Sequence, residues 1–136
     1  MEERIKEIAQ IFLEKTKEKE ILVVSHFDTD GITSAAIMIK TLKKLDRLFS
    51  VKIIKSLEEN FISKLPQEKL IIFLDLASGS FHHLEKKQFK EIFIIDHHEM
   101  SQEPPSNIYF INPHIFEKEK ISGAGLTYLF CKELNS

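Results

Sequence analysis

Apolar positions recur along the chain in two rhythms. Between Glu2 and Glu18, Ile5, Ile8, Ala9, Phe12 and Leu13 return at the spacing of one helical face with charges between them, which predicts an amphipathic helix over residues 2–18. "ILVVSH" (21–26) is then a short apolar run of the kind that forms a buried strand, and Ile32, Ala35, Ala36, Ile39 and Leu42 mark the apolar stripe of a following helix. Four more runs rich in Ile, Val and Phe follow: "VKIIK" (51–55), "KLIIFLD" (69–75), "EIFIID" (91–96) and "NIYFIN" (107–112). "LTYLFCKEL" (126–134) closes the pattern as a last helix. Runs apolar on both faces, alternating with helix-compatible segments, predict an α/β fold: a mostly parallel, five-stranded sheet with helices on both faces. "EMSQEPPSN" (99–107), with two of the four prolines, is a loop bordering the end of the preceding strand. In "PHIFEKEKIS" the alternating charges from Glu117 to Lys120 predict a solvated surface connection.

At 136 residues and 43% hydrophobic, the chain is expected to form a single domain with one core. The 19 Lys and Arg against 21 Asp and Glu provide no overall basic footprint, so charge neither demands nor excludes a nucleic-acid partner. Apolar runs stop at four or five residues and the N-terminus is amphipathic and acidic, so no membrane partner and a cytoplasmic location are expected. The lone cysteine, Cys131, sits among Leu129, Phe130 and Leu134 and is expected to be a buried thiol.

The acids change the picture. Only five of them are aspartates (Asp28, Asp30, Asp46, Asp75 and Asp96), and all but Asp46 fall at or just beyond the C-terminal end of a predicted strand. His26, His97 and His98 fall at the same kind of position. In an open parallel sheet those ends share one edge, where ligands bind, so residues seventy positions apart converge. Clustered carboxylates repel unless cations neutralise them, and short Asp side chains mixed with imidazoles form a ligand set for Mn²⁺ or a similar metal. The absence of thiolates disfavours structural zinc. His26, Asp28, Asp30, Asp75 and His97 exceed what one catalytic ion takes while keeping an open position, and suit two ions about 4 Å apart with a bridging carboxylate. Such a pair points to phosphoester hydrolysis.

"SHFDTDG", "FLDLAS" and "IIDHHEM" resemble the first three motifs of the DHH phosphoesterases, whose name matches the triplet Asp96-His97-His98, and the later "NPH" and "SGAG" are similar to the fourth region of the RecJ-like exonucleases. Together these motifs span roughly residues 21 to 130. The resemblance implies a Rossmann-like DHH domain in which His26, Asp28 and Asp75 hold one metal, and Asp30, Asp75 and His97 the other, with Asp75 as the bridge. His98 would face the scissile phosphate, and Asp96 would orient the imidazoles. Ser122, Gly123 and Gly125 would cradle phosphate or line the strand path, although glycines there serve a tight, closely packed turn equally well. His114 is expected to have a structuring role, and His82-His83 to be a partly exposed pair at a helix start without chemistry.

The same resemblance implies a metal-dependent, 5′-to-3′ exonuclease acting on single-stranded DNA or short RNA, with two Mn²⁺ ions, or Mg²⁺ in their place. Family members supply a further aspartate from beyond the "SGAG" helix and then a substrate-gripping domain. No aspartate follows Asp96 here, Asp46 lies on the far side of a helix, and Glu117, Glu119 and Glu133 are not at predicted strand ends. The chain then reads as one piece of a split enzyme, an excised fragment or a minimal protein of weakened metal affinity; the first is preferred, with a second polypeptide completing the site and docking on exposed apolar surface near the last helix. Two other functions fit the same residues: a catalytically impaired scaffold associated with replication-helicase components, and a hydrolase of short oligonucleotides or nucleotide dimers, against which a strongly basic groove would argue.

Overall fold

The computed structural model describes the chain except residues 88, 90, 101 and 117–119; Glu117, Glu119 and most of the charged Glu117–Lys120 connection thus lie outside the described residues. The order of elements is α1 (Glu2–Lys15), β1 (Ile21–His26), α2 (Thr29–Lys44), β2 (Phe49–Ile54), α3 (Glu59–Ser63), β3 (Leu70–Leu74), α4 (Phe81–Lys87), β4 (Ile92–Ile95), β5 (Ile108–Ile111), a 3-10 turn (Pro113–Phe116) and α5 (Gly123–Leu134). The strands form one sheet in the order β2-β1-β3-β4-β5, and every pairing is parallel. All five strands expected from the sequence are present, each within two residues of its expected bounds.

Alternation along the strands divides the core into two layers. Ile21, Val23, Ile72, Leu74, Phe93 and Ile111 face α1, α2 and α5, while Leu22, Val24, Ile71, Phe73, Ile94 and Phe110 face α3 and α4. Phe12 of α1 meets Phe93 and Phe130 edge-on, with ring centroids 5.1 and 5.5 Å away, and this ties α1 and α5 to the sheet. β3 and β4 are buried throughout, but β2 is an edge strand with mixed exposure. α1 stops at Lys15, short of the expected Glu18, because Thr16 turns back and its hydroxyl donates to the Phe12 carbonyl at 2.7 Å.

The stripe expected on α2 is partly wrong. Ile32 is 53% exposed, Ala36 is exposed and Ile39 only half-buried; the covered residues are Ser34, Ala35, Met38, Thr41 and Leu42. α2 packs on the sheet and on α5 at once, so its buried face is rotated toward the small residues that admit a second helix.

β1 and β3 are sequence-distant neighbours at the point where chain order reverses, and a crevice opens there beyond their C-terminal ends. Asp46 follows α2 at the opposite edge of the sheet, away from that crevice.

Candidate metal centre

The chain leaves β1 and enters α2 almost without a loop. Asp28 caps α2, accepting the Gly31 amide at 2.8 Å, and the Ser25 hydroxyl donates to the Gly31 carbonyl at 2.7 Å. A Cβ on Gly31 would stand 2.1 Å from the His26 carbonyl oxygen, so only glycine permits this return. The tight turn is what sets His26, Asp28 and Asp30 over the sheet edge. His26 Nε2 lies 3.0 Å from the Lys55 carbonyl, which can only accept, so Nε2 carries the proton and the Nδ1 lone pair faces inward. That nitrogen sits 3.1 Å from Asp28 Oδ2 and 3.7 Å from Asp75 Oδ2, buried and without a hydrogen-bond partner among the described residues.

Asp75, the first residue after β3, is 1% exposed and has a left-handed backbone, φ 61°. Both its oxygens are buried and accept no hydrogen bond among the described residues; His97 Nε2 stands 3.0 Å from Oδ1 without the required alignment. Burial, then the neighbouring Asp30 and Asp28, push its pKa up to about 8. Burial pushes Asp28 the same way, but the Gly31 amide, Asp75 and His26 outweigh it and hold that carboxyl below its ordinary value.

Asp30 is positioned from the far end of the chain. Its two oxygens accept the Gly123 and Ala124 amides at the start of α5, both at 2.8 Å, and Oδ2 lies 3.3 Å from His97 Nε2. A Cβ on Gly123 would come within 2.5 Å of Asp75 Oδ1 and 3.0 Å of Asp30 Oδ2, so the helix reaches both acids only because glycine stands there. The exposed Ser122 caps the helix, its hydroxyl oxygen accepting the Gly125 amide at 3.0 Å. The "SGAG" segment is thus a close-packed helix start whose first amides hold Asp30.

Asp96 is fully buried. Its Oδ1 accepts the His97 amide at 2.8 Å and His98 Nδ1 at 2.6 Å, and Oδ2 accepts the Ser78 amide at 3.1 Å. His98 therefore carries its Nδ1 proton toward Asp96 and presents Nε2 to the cleft lined by His26, Lys55, Asp75, Gly79 and His98. Asn112, to which the sequence assigned no role, and His114 complete the support. Asn112 donates to the His98 carbonyl at 2.8 Å and to the Ser78 hydroxyl at 3.1 Å, and its Oδ1 accepts the His114 amide at 2.9 Å. His114 Nε2 donates to the His97 carbonyl at 3.0 Å, the structuring role expected for it. The signal for Asn112 was its position at the end of β5, in "NPH".

Among the described residues, two clusters of potential ligand atoms converge within 4.8 Å: His26, Asp28 and Asp75, and Asp75, Asp96, His97 and His98. Asp75 belongs to both. In the second, Asp96 already takes donors from three residues, whereas each Asp30 oxygen has one amide and a lone pair to spare, so Asp30, Asp75 and His97 are the better donor set. Bare buried carboxylate oxygens and an inward imidazole lone pair suit a hard to borderline divalent cation.

The remaining candidates lie apart from the cluster. His82 and His83 stack 3.8 Å apart at the start of α4, the partly exposed pair expected. Glu133 is in the last turn of α5, remote from the helix start that touches Asp30. Burial pushes the Cys131 thiol up to about 11, as expected for a core residue. Exposed apolar surface is present beside α5 at Tyr128, 55% exposed. Among the described residues no helix is long and apolar enough to cross a membrane.

The comparisons with known proteins agree with this fold. An uncharacterized protein of Methanocaldococcus jannaschii, MJ0831, is 34% identical over 98% of this chain, which spans 34% of that protein's length. The single-stranded-DNA-specific exonuclease RecJ of Thermus thermophilus is 28% identical over 92% of the chain, which spans 20% of it. The crystal structure of an exonuclease RecJ bound to manganese superposes with a TM-score of 0.84 at 24% identity, covering 96% of this chain and 37% of that one, and shares its fold. The model of the DHH family, N-terminal domain, matches residues 20–136. On that match the chain belongs to the DHH family.

Proposed function

We propose that His26, Asp28 and Asp75 hold one divalent cation and Asp30, Asp75 and His97 a second, Mn²⁺ or Mg²⁺, and that this centre hydrolyses phosphodiesters of single-stranded nucleic acid. The observation that carries this reading is Asp75, a buried carboxylate with no hydrogen-bond donor among the described residues, flanked by the two imidazoles and two further carboxylates. The single-stranded-DNA exonuclease named above supports the choice of substrate. Bound ions would supply a nucleophile at neutral pH and neutralise charge developing on the phosphoryl oxygens.

The chain's own residues do the rest. His98, with Nδ1 held by Asp96, turns Nε2 toward the cleft to stabilise the phosphate or protonate the leaving oxygen. Asp96 fixes that tautomer, and Asn112 fixes the backbone that carries it. Ser122, exposed beside Asp30, and the flanking Gly123 and Gly125 border the phosphate site. The second position has three protein ligands among the described residues, and a further carboxylate from outside them would complete it. Calorimetric titration with Mn²⁺, alongside cleavage of a labelled single-stranded oligonucleotide, tests the reading. Binding and cleavage should both vanish in Asp75→Asn; cleavage that persists in this variant would sink the proposal.

A further inference from the structure

α2 and α5 lie side by side on one face of the sheet, and both begin at the metal edge, with Asp30 in the first turn of α2 and Gly123 opening α5. A groove lies between their later turns, starting at Ile37 and Tyr128 and running away from that edge. Its lining includes Ile37, Lys40, Lys44, Tyr128 and Lys132, and no acidic residue. In a chain with 21 acids and 19 bases, three lysines on an acid-free track are a local reversal of the overall charge. All three are exposed, and none forms an ion pair among the described residues. Lys132 also borders a second cavity, between α1 and α5, with Glu2 and Glu133, so Lys40 and Lys44 are the lysines that face the groove alone. Tyr128, 55% exposed, adds an aromatic face unsupported by the core.

We infer that this groove is the path along which a nucleic-acid strand runs away from the metal edge; the inference rests on the function proposed above and gives its single-stranded substrate a track on this chain. At 1.5 Å per helical residue, Tyr128 stands about 7.5 Å along α5 from Gly123, and Lys132 about 13.5 Å; on α2, Lys40 and Lys44 stand about 15 and 21 Å from Asp30. Cations at such intervals, beside an aromatic ring, match the backbone charge and stacking of successive nucleotides. An acidic protein segment would use the lysines but has no π-face to set on Tyr128. A hydrolase of dinucleotides would need nothing this far from its metals.

The test compares an oligothymidylate of about twelve nucleotides, within the span of known single-strand sites, with a thymidine dinucleotide. KM is measured in Mn²⁺, and equilibrium binding of the longer strand by fluorescence anisotropy across salt concentrations. Wild type should show the lower KM for the longer strand. In Lys40→Glu/Lys44→Glu/Lys132→Glu the ratio of longer-strand to dinucleotide KM should rise at least tenfold, and the slope of log affinity against log salt should shrink by about 2, from roughly 0.7 per phosphate contact. Tyr128→Ala should weaken strand binding about fivefold or more without changing that slope. Circular dichroism and Mn²⁺ titration of each variant verify the fold. An unchanged salt slope in the triple variant would overturn the groove and leave the hydrolase standing. Failure of wild type to bind Mn²⁺ would overturn the metal centre, while anisotropy would still judge the groove. Tighter binding of polyglutamate than of the oligonucleotide would assign the groove to an acidic protein and overturn the inference.

Discussion

The turns after β3 and β4 are neighbours in the sheet, and each opens on an aspartate that is almost fully buried. They are built in opposite ways. Asp96, after β4, is surrounded by donors from Ser78, His97 and His98, and the His97-His98 backbone is gripped again by Asn112 and His114. Asp75, after β3, accepts no hydrogen bond among the described residues and lies on a left-handed backbone. Burying a charge is costly unless it is paired. Around Asp96 the protein supplies the compensation itself, which makes that residue a frame. Around Asp75 it withholds it, which leaves a place that only a proton or a cation makes comfortable.

The sharpest way to break this comparison is to neutralise the two acids in turn. Asp75→Asn should reduce Mn²⁺ affinity by more than a hundredfold while leaving the thermal midpoint of the metal-free protein unchanged or higher, because a repelling charge is removed. Asp96→Ala should do the reverse to stability, lowering it by about 3 kcal/mol in a denaturant titration, since several buried N–H groups lose a charged acceptor. If both variants behaved alike in both measurements, the distinction between frame and ligand would fail.

A pH series tests the same contrast without mutation. Asp75 has a folded-state pKa of about 8 against an ordinary 3.8, so the folded protein holds a proton that the unfolded chain has released across that interval. The stability of the metal-free protein from this group is therefore full below about pH 4 and is lost as pH rises toward 8, by up to about 1.4 kcal/mol per unit. Mn²⁺ replaces that proton, so its affinity should climb up to tenfold per unit until about pH 8 and then level off. Melting curves with and without Mn²⁺ read both slopes, and Asp75→Asn should flatten them.

Smaller effects are expected from the supports. Gly123→Ala forces α5 back from Asp75 and Asp30 and should reduce Mn²⁺ affinity by about ten- to a hundredfold, the range for residues that orient metal ligands. Asn112→Ala removes the donor to the His98 carbonyl and should cost about 1 to 2 kcal/mol of stability, leaving Mn²⁺ affinity within a few fold of wild type.

What could be read in the sequence was whatever depends on local pattern. The buried runs fixed the strands, and the aspartates at their ends marked the sheet edge, because strand direction alone brings such ends together. The stripe on α2 was misread because one helical period cannot show that a helix has two neighbours, and Ser34 and Thr41 are buried where α5 approaches. The hold of the Gly123 and Ala124 amides on Asp30 joins residues 93 and 94 apart in sequence, and the left-handed turn at Asp75 is imposed by its surroundings. Neither leaves a trace in composition or spacing. Asn112 was visible only as part of a motif; its role needs the spatial adjacency of β5 and the turn after β4.

The clasp between α5 and Asp30 also has a consequence for the order of assembly. The first aspartates emerge early in synthesis, yet Asp30 acquires its two amide partners only when a helix translated some ninety residues later has docked. Until then a nascent chain offers loose carboxylates rather than a shaped receptacle. Cation capture would thus act as a proofreader of folding, rewarding chains whose last helix has seated and passing over those whose sheet is still open.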